Sequence, residues 1–148
     1  MGFAQFEARW LERLRNGAKV AFDFGSVPHN HSTPHAIADA FVSSFGLEPI
    51  GFNWELLDPS GDASAPRSAL GEVTKALSGA ISNPSEPWLS PKDAAECARD
   101  FLSFFEPGDL VVLANRYDGL WNPISGAANE WGFVAFDTEH AALLLITD

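Results

Sequence analysis

The sequence is poor in cysteine, in basic residues and in long apolar runs. Its single cysteine, Cys97, excludes an intramolecular disulfide and is typical of a reducing compartment, so we expect a cytoplasmic location. No apolar run approaches the roughly 18 residues of a membrane-spanning helix. Residues 1–17 lack the basic-then-apolar order of a secretory signal. Nine Lys and Arg residues are too few for the basic face that nucleic-acid binding requires, so we expect neither a nucleic-acid nor a membrane partner.

Signatures of catalysis and of cofactor binding are also missing from the sequence. It contains no Gly-x-Ser-x-Gly nucleophile elbow, and Gly119 and Gly126 belong to no glycine-rich phosphate loop. Cys97 shares an apolar helical stripe with Ala98 and Phe101, which predicts a buried side chain rather than a nucleophile. We therefore expect no cofactor and no covalent catalysis.

The charge that is present is mostly negative and is unevenly placed. There are 20 Asp and Glu residues against nine Lys and Arg, a formal net charge of −11. Residues 20–66 contain no Lys or Arg, and residues 100–148 contain one cation, Arg116, against eight carboxylates. Carboxylates with so few partners repel one another. They either keep the chain in solution or form a negative face that accelerates binding of a cationic partner.

The spacing of apolar residues alternates along the chain between the helical and the strand repeat. It predicts helices over residues 3–14, 34–45, 67–82 and 91–105, and strands over residues 20–24, 50–56, 110–114, 131–136 and 142–147. Two X-Pro pairs in residues 83–87 predict a stiff connector, and the last two strands are close enough to pair as a hairpin around Asp137–His140. We therefore predict one α+β domain over residues 1–148, with a five-stranded, mainly antiparallel sheet and about four helices packed over one face.

A cluster of histidines is a candidate metal site. His29, His31 and His35 lie within seven residues, on a turn before a predicted helix. Neutral imidazole is the commonest metal ligand in proteins, and Asp39 follows one helical turn later as an auxiliary ligand. The His-x-His spacing is similar to the start of the metallo-β-lactamase signature, but a Thr-Pro pair stands where that signature continues with Asp-His. Exposed loop histidines without a metal are therefore the preferred interpretation.

The segment 115–130 is a candidate binding loop, because it exceeds the usual connection of about 4–6 residues. It contains the only tyrosine together with a tryptophan and an arginine, the residue types most enriched at the energetic centres of interfaces. Alternatively, its apolar side chains only close the core, or the segment lines a small-molecule pocket. The residues predicted to contact a partner are Arg116, Tyr117, Asp118, Trp121 and Glu130, with Asp58 and Asp62 from an earlier turn.

Small size, negative charge and the stretch YDGLWNPIS (residues 117–125) make the chain similar in overall profile to bacterial immunity proteins. That resemblance implies a binding protein that neutralises a cognate toxin, or another cationic protein, by masking its active or binding surface. It implies no particular fold and transfers no residue roles. Two alternatives stay open: a metal-dependent enzyme that uses the three clustered histidines, and an adaptor that self-associates through its aromatic surface.

Overall fold

The computed structural model describes residues 2–15, 19–79 and 89–147. Its helical elements are α1 (Phe3–Phe6), a π-helical turn (Glu7–Leu11), α2 (Glu12–Arg15), α3 (Pro34–Ser43), a 3₁₀ turn (Gly51–Asn53), α4 (Ala69–Ser78) and α5 (Pro91–Leu102). Its strands are β1 (Lys19–Ser26), β2 (Glu55–Leu57), β3 (Val111–Ala114), β4 (Arg116–Tyr117), β5 (Leu120–Trp121), β6 (Glu130–Phe136) and β7 (His140–Thr147). No helix within these ranges is long and apolar enough to cross a membrane.

Five of the strands form one sheet in the order β1-β7-β6-β3-β2, and every neighbouring pair is antiparallel. Leu144, in the interior strand β7, lies opposite Phe22 of β1 and Phe133 of β6. Strands β6 and β7 form the hairpin predicted around Asp137–His140. The predicted α+β class and the five-stranded antiparallel sheet are therefore confirmed.

Helices cover both faces of this sheet, so the prediction that they pack over one face is wrong. Leu144 faces a core that is shared with α1, α4 and α5, whereas its neighbours Leu143 and Leu145 face a second core that includes Phe41 and Val42 of α3. The physical reason is the unbroken apolar run of β7. A strand that is apolar at consecutive positions exposes apolar surface on both faces, and both must be covered.

The strand predicted over residues 50–56 is shorter than expected. Only Glu55–Leu57 form a strand, and Gly51–Asn53 form a 3₁₀ turn. Gly51 has a φ of +61°, which an extended strand cannot contain, so the alternating apolar pattern does not continue as β structure. The helix predicted over residues 67–82 is observed as α4, but its predicted end and the connector at 83–87 lie outside the described residues.

Two basic residues of the N-terminal segment, Arg9 and Arg13, are bonded to acidic residues of α5. The buried indole of Trp10 donates a hydrogen bond from Nε1 to Asp100 Oδ2 at 2.7 Å. Arg9 pairs with Asp100 at 3.0 Å, and Arg13 pairs with Asp93 at 2.6 Å. Exposed pairs of this kind contribute little stability. Their consequence here is that these acids already have a cationic partner within the chain.

Candidate functional site

The segment 115–130 begins with a two-stranded hairpin, which the sequence analysis missed. Strands β4 and β5 pair antiparallel, with Arg116 opposite Trp121. The two turn residues, Asp118 and Gly119, have φ values of 54° and 82°, the positive values that a tight type I′ turn needs. The side chain of Leu120, beside this turn, is 80% exposed. The hairpin therefore presents an apolar and a charged side chain to solvent, as a binding loop would.

The guanidinium of Arg116 contacts two indole rings. Its Cζ atom is 5.2 Å from the ring centroid of Trp121 and 5.0 Å from that of Trp131. Cation–π contacts of this kind hold a guanidinium in place without neutralising it. Burial lowers the pKa of Arg116 from its ordinary value. Its Nη1 atom and the Nε1 atom of Trp131 are buried and meet no acceptor among the described residues.

Tyr117 connects the hairpin to the loop that joins β2 to α4. The guanidinium of Arg67 lies 4.7 Å from the Tyr117 ring centroid and forms an ion pair with Glu55 of β2. Asp58 and Asp62 belong to the same loop, and their carboxylates accept hydrogen bonds from the backbone N–H groups two residues further on, at 2.9 Å in both cases. Both are placed near a surface, with Asp62 exposed and Asp58 half-buried.

Glu130 was predicted to face a partner, and its position contradicts that prediction. Its side chain is 0% exposed. The carboxylate accepts hydrogen bonds from Asn115 Nδ2 at 2.9 Å, from the backbone N–H of Ile124 at 3.0 Å, and from the N–H and Oγ of Ser125 at 3.2 and 3.0 Å. Glu130 therefore fixes the path of the 115–130 segment from inside and offers no charge to a partner.

A groove of about 890 Å³ lies at the opposite end of β3 from the hairpin. Its apolar lining includes the buried side chains of Leu70, Phe105 and Leu110. Its charged lining residues are Arg99, Glu106, Asp109, Asp137, Glu139 and His140. Residues 59–61 also line it, so the turn that contains Asp58 and Asp62 forms part of its wall. We call this feature the acidic groove, because four carboxylates oppose one guanidinium.

Asp137 has a structural role within the acidic groove. Its carboxylate accepts backbone N–H bonds from Glu106 at 3.0 Å and from Glu139 and His140 at 2.8 Å each. Burial alone would raise the pKa of Asp137, but these three donors outweigh burial, and the pKa lies below its ordinary value. The ionised carboxylate therefore holds the β6–β7 turn against the segment that follows α5.

The lowered pKa of Asp137 predicts a pH-dependent contribution to stability. A carboxylate with a lower pKa in the folded state stabilises the fold above its unfolded pKa of about 4, and this contribution is lost as the pH falls through the folded pKa. We expect Asp137→Asn to lower the free energy of unfolding by about 1 kcal/mol at pH 7 and by progressively less below about pH 4. Urea unfolding of the unchanged protein and of the variant, at several pH values between about 7 and 2.5, measures this difference in free energy. A difference that does not vary with pH would contradict the prediction.

The three clustered histidines do not converge. His29 and His31 are exposed, and His35 is half-buried with its ring centroid 5.3 Å from that of Phe52. His29 and His31 line a second cavity of about 380 Å³ beside Asp109. In the described parts of the chain, no three His, Cys, Asp or Glu side chains form a group that could hold a metal ion. Within the described ranges, the three histidines therefore do not form a metal site.

Asp39, suggested above as an auxiliary metal ligand, has a different role. Its two oxygens accept hydrogen bonds from the backbone N–H groups of Ile50 and Gly51 at 2.8 and 2.9 Å, and from Trp54 Nε1 at 2.8 Å. Three N–H donors occupy the carboxylate, so the suggested role is wrong.

Cys97 is fully buried as predicted, and burial raises the pKa of its thiol.

The structure groups some of the predicted contact residues and separates others. Arg116, Tyr117 and Trp121 share one hairpin, whereas Asp58 and Asp62 lie beside the acidic groove. Sequence reasoning missed the groove carboxylates, since segments 59–61, 99–110 and 137–140 come together only in the fold.

A scan against protein-family models, a search of curated proteins and a search of solved structures each gave no match for this chain.

Proposed function

We propose that this chain is an acidic cytoplasmic binding protein that neutralises a cognate toxin, or another cationic protein, by masking its active or binding surface. This is the mode of action that the resemblance to bacterial immunity proteins implies. One observation carries the proposal: the acidic groove combines buried apolar side chains with exposed carboxylates in a volume of about 890 Å³.

The lining of the groove matches the chemistry of lysine and arginine side chains. Each of these has an apolar stem and a cationic end, and it is bound best where apolar surface lies next to negative charge. Glu106, Asp109 and Glu139 are exposed, and their carboxylates form no ion pair with any described residue. Cationic side chains from a partner would therefore find acceptors that the chain itself does not use.

The hairpin and the loop before α4 extend this surface. The loop lines the groove through residues 59–61 and contacts the hairpin through Arg67. In the proposal, Leu120 and Trp121 supply the apolar contacts of the interface, and Asp58, Asp62 and Asp118 add negative charge around them. Aromatic side chains at the centre of an interface contribute most of its binding energy, while charges at its edge mainly accelerate association.

A charge-matched pair of triple variants tests the proposal. Glu106→Gln, Asp109→Asn and Glu139→Gln together remove three charges from the groove. The control, Glu7→Gln, Glu12→Gln and Glu48→Gln, removes three charges from exposed residues outside it. With a nona-arginine peptide at low ionic strength, we expect the groove variant to slow association about ten-fold and the control less than two-fold. Stopped-flow fluorescence measures these rates, and equal slowing in both variants would reject the groove in favour of overall charge.

Self-association is the second candidate function. Phe52 is 82% exposed and Leu56, on the edge strand β2, is 48% exposed. Two apolar side chains beside a sheet edge favour contact with a second copy. The edge is only three residues long and its first residue, Glu55, is paired with Arg67, which disfavours extension of the sheet. The mass of the native protein by light scattering over a concentration series separates a monomeric binding protein from an adaptor.

A further inference from the structure

Strand β1 lies at an edge of the five-stranded sheet and pairs only with β7. Its eight residues keep one register without a bulge, from Lys19 opposite Thr147 to Ser26 opposite His140, and none of them is proline. Folded proteins usually shorten an exposed edge, bend it or place charges along it, because such an edge pairs with other chains. The opposite edge, β2, is only three residues long. Strand β1 is long and straight, and Asp23 is the one charged residue within residues 20–26.

The register of β1 decides which of its backbone groups face away from β7. The N–H of Val27, directly after the strand, donates to the carbonyl of Glu139 at 2.9 Å. In an antiparallel sheet the N–H and C=O groups of one residue point to the same neighbouring strand, and the direction alternates along the chain. The residues of β1 that point away from β7 are therefore Val20, Phe22, Phe24 and Ser26. Their outward N–H and C=O groups form no hydrogen bond with any described residue.

The two faces of this edge differ in chemistry. Phe22 and Phe24 pack against the core that is shared with α1, α4 and α5, and the ring of Phe3 stacks on both, with centroid distances of 5.4 and 5.5 Å. Asp23 lies opposite Leu143, which faces the second core. Asp23 is half-buried and forms no ion pair with any described residue. Burial raises its pKa, and a neighbouring cation would offset that cost.

The end of β1 is continuous with the acidic groove. The ring centroid of Phe24 lies 5.7 Å from that of Phe104 and 5.4 Å from that of His140, and both of these residues line the groove. An extended segment bound along β1 therefore passes beside the groove. A cationic partner is a better occupant of this edge than a second copy, because two chains with a net charge of −11 repel each other.

We propose that the partner of the acidic groove adds an extended segment, in which apolar residues alternate with Lys or Arg, to β1 as a further antiparallel strand. The cationic nature of the partner rests on the proposed function, whereas the pairing rests on the backbone of β1. In this mode of binding, main-chain hydrogen bonds supply affinity and alternate side chains supply specificity. Residues opposite each other in antiparallel strands point to the same face. The apolar residues of the segment therefore lie opposite Phe22 and Phe24 and direct their own N–H groups at β1, and the basic residues lie on the face of Asp23.

A peptide of Val-Lys repeats, as long as the eight residues of β1 and capped at both ends, is the probe. Methylation of its valine nitrogens removes the N–H groups that would pair with β1. Methylation of its lysine nitrogens removes those that would point to solvent, so the two methylated peptides have the same charge and composition. We expect valine methylation to raise the Kd at least about ten-fold and lysine methylation less than about two-fold. Titration calorimetry measures both, and equal effects overturn the proposal.

Amide hydrogen exchange of ¹⁵N-labelled protein locates the bound peptide. At saturation we expect exchange of the outward N–H groups of Phe22 and Phe24 to slow at least about ten-fold. The N–H groups of Asp23 and Gly25 already point to β7 and serve as internal controls. Binding without this protection, or no binding of the unmethylated peptide at about 1 mM, overturns the proposal. Protection that grows with protein concentration in the absence of peptide assigns the edge to a second copy and also overturns it.

Two single variants test the assignment of basic residues to the face of Asp23. We expect Asp23→Asn to raise the Kd of the unmethylated peptide about three-fold and Glu48→Gln, at an exposed residue outside β1, to change it less than about 1.5-fold. Equal changes in both variants overturn that assignment.

The triple variants described above separate a failure of this inference from a failure of the proposed function. If the groove variant and its control slow nona-arginine association equally while valine methylation still weakens peptide binding, the groove is rejected and the added strand stands. If the groove variant alone slows association and both methylated peptides bind alike, the groove stands and the added strand is rejected.

Discussion

Replacing Glu130 by alanine is expected to lower the free energy of unfolding by about 3 kcal/mol. The variant removes one of the two acceptors of the Asn115 side-chain amide, and it leaves the backbone N–H groups of Ile124 and Ser125 without their acceptor. Glu130 and Asn115 are buried at 0% and 1% exposure, so water cannot replace the carboxylate without a rearrangement of the segment. Buried donors that lose their partner cost about 1–3 kcal/mol each. Urea unfolding followed by far-UV circular dichroism measures the loss.

Two further variants distinguish this role from a simple loss of charge. Glu130→Gln keeps one acceptor oxygen and should lose about half as much free energy of unfolding as the alanine variant. Asp118→Asn removes the same charge from an exposed turn residue of the same segment, where asparagine tolerates the positive φ of 54°, and should change stability by less than about 0.5 kcal/mol. A loss below about 1 kcal/mol for Glu130→Ala would show that the segment keeps its path without this carboxylate.

Sequence reasoning was least successful with the carboxylates, because a count of charges treats them all alike. Glu130, Asp39 and Asp137 are each acceptors for several N–H groups, and Glu130 never reaches the surface. Apart from Glu139 and His140, which follow Asp137 closely, their donors lie five to 31 positions away along the chain, so no local pattern reveals most of them. The exposed carboxylates of the acidic groove went unpredicted for the same reason, because only the fold brings their segments together.

Local signals were read more successfully than distant ones. Thr33 and Ser90, each followed by proline, begin α3 and α5, and their hydroxyl oxygens accept the N–H of Ala36 and Asp93 at 3.1 Å. These caps depend on residues three positions apart, which a sequence displays directly. The Asp118-Gly119 pair was an equally local hairpin signal and was overlooked in favour of a plain loop.

The placement of α3 on the second face of the sheet was not predicted, although β7 contained the signal. Consecutive apolar residues in a strand indicate burial on both faces, and the run that contains Leu143, Leu144 and Leu145 has that pattern. Which helix covers which face depends on contacts between elements far apart in sequence. Asp39 is one such contact, because it joins α3 to the 3₁₀ turn and to Trp54 in the second core.

Asp39→Ala is accordingly expected to lower the free energy of unfolding by about 3 kcal/mol. The variant removes the acceptor of three donors at once: the backbone N–H groups of Ile50 and Gly51 and the indole N–H of Trp54. The Trp54 side chain is 2% exposed, so its indole N–H gains little from solvent when the carboxylate is removed. Urea unfolding gives the loss, and Glu48→Ala, a change at an exposed residue soon after α3, should stay within about 0.5 kcal/mol of the unchanged protein.

A double-mutant cycle with Trp54→Phe isolates the indole hydrogen bond from the two backbone bonds. Phenylalanine keeps an aromatic ring in the second core and removes the donor, so Asp39→Ala should cost about 1 kcal/mol less in the Trp54→Phe background than alone. The loss is smaller in that background because no indole N–H group is left without an acceptor when the carboxylate is removed. Strictly additive losses would mean that Asp39 acts only through the backbone of Ile50 and Gly51, and that Trp54 is held in the core by packing alone.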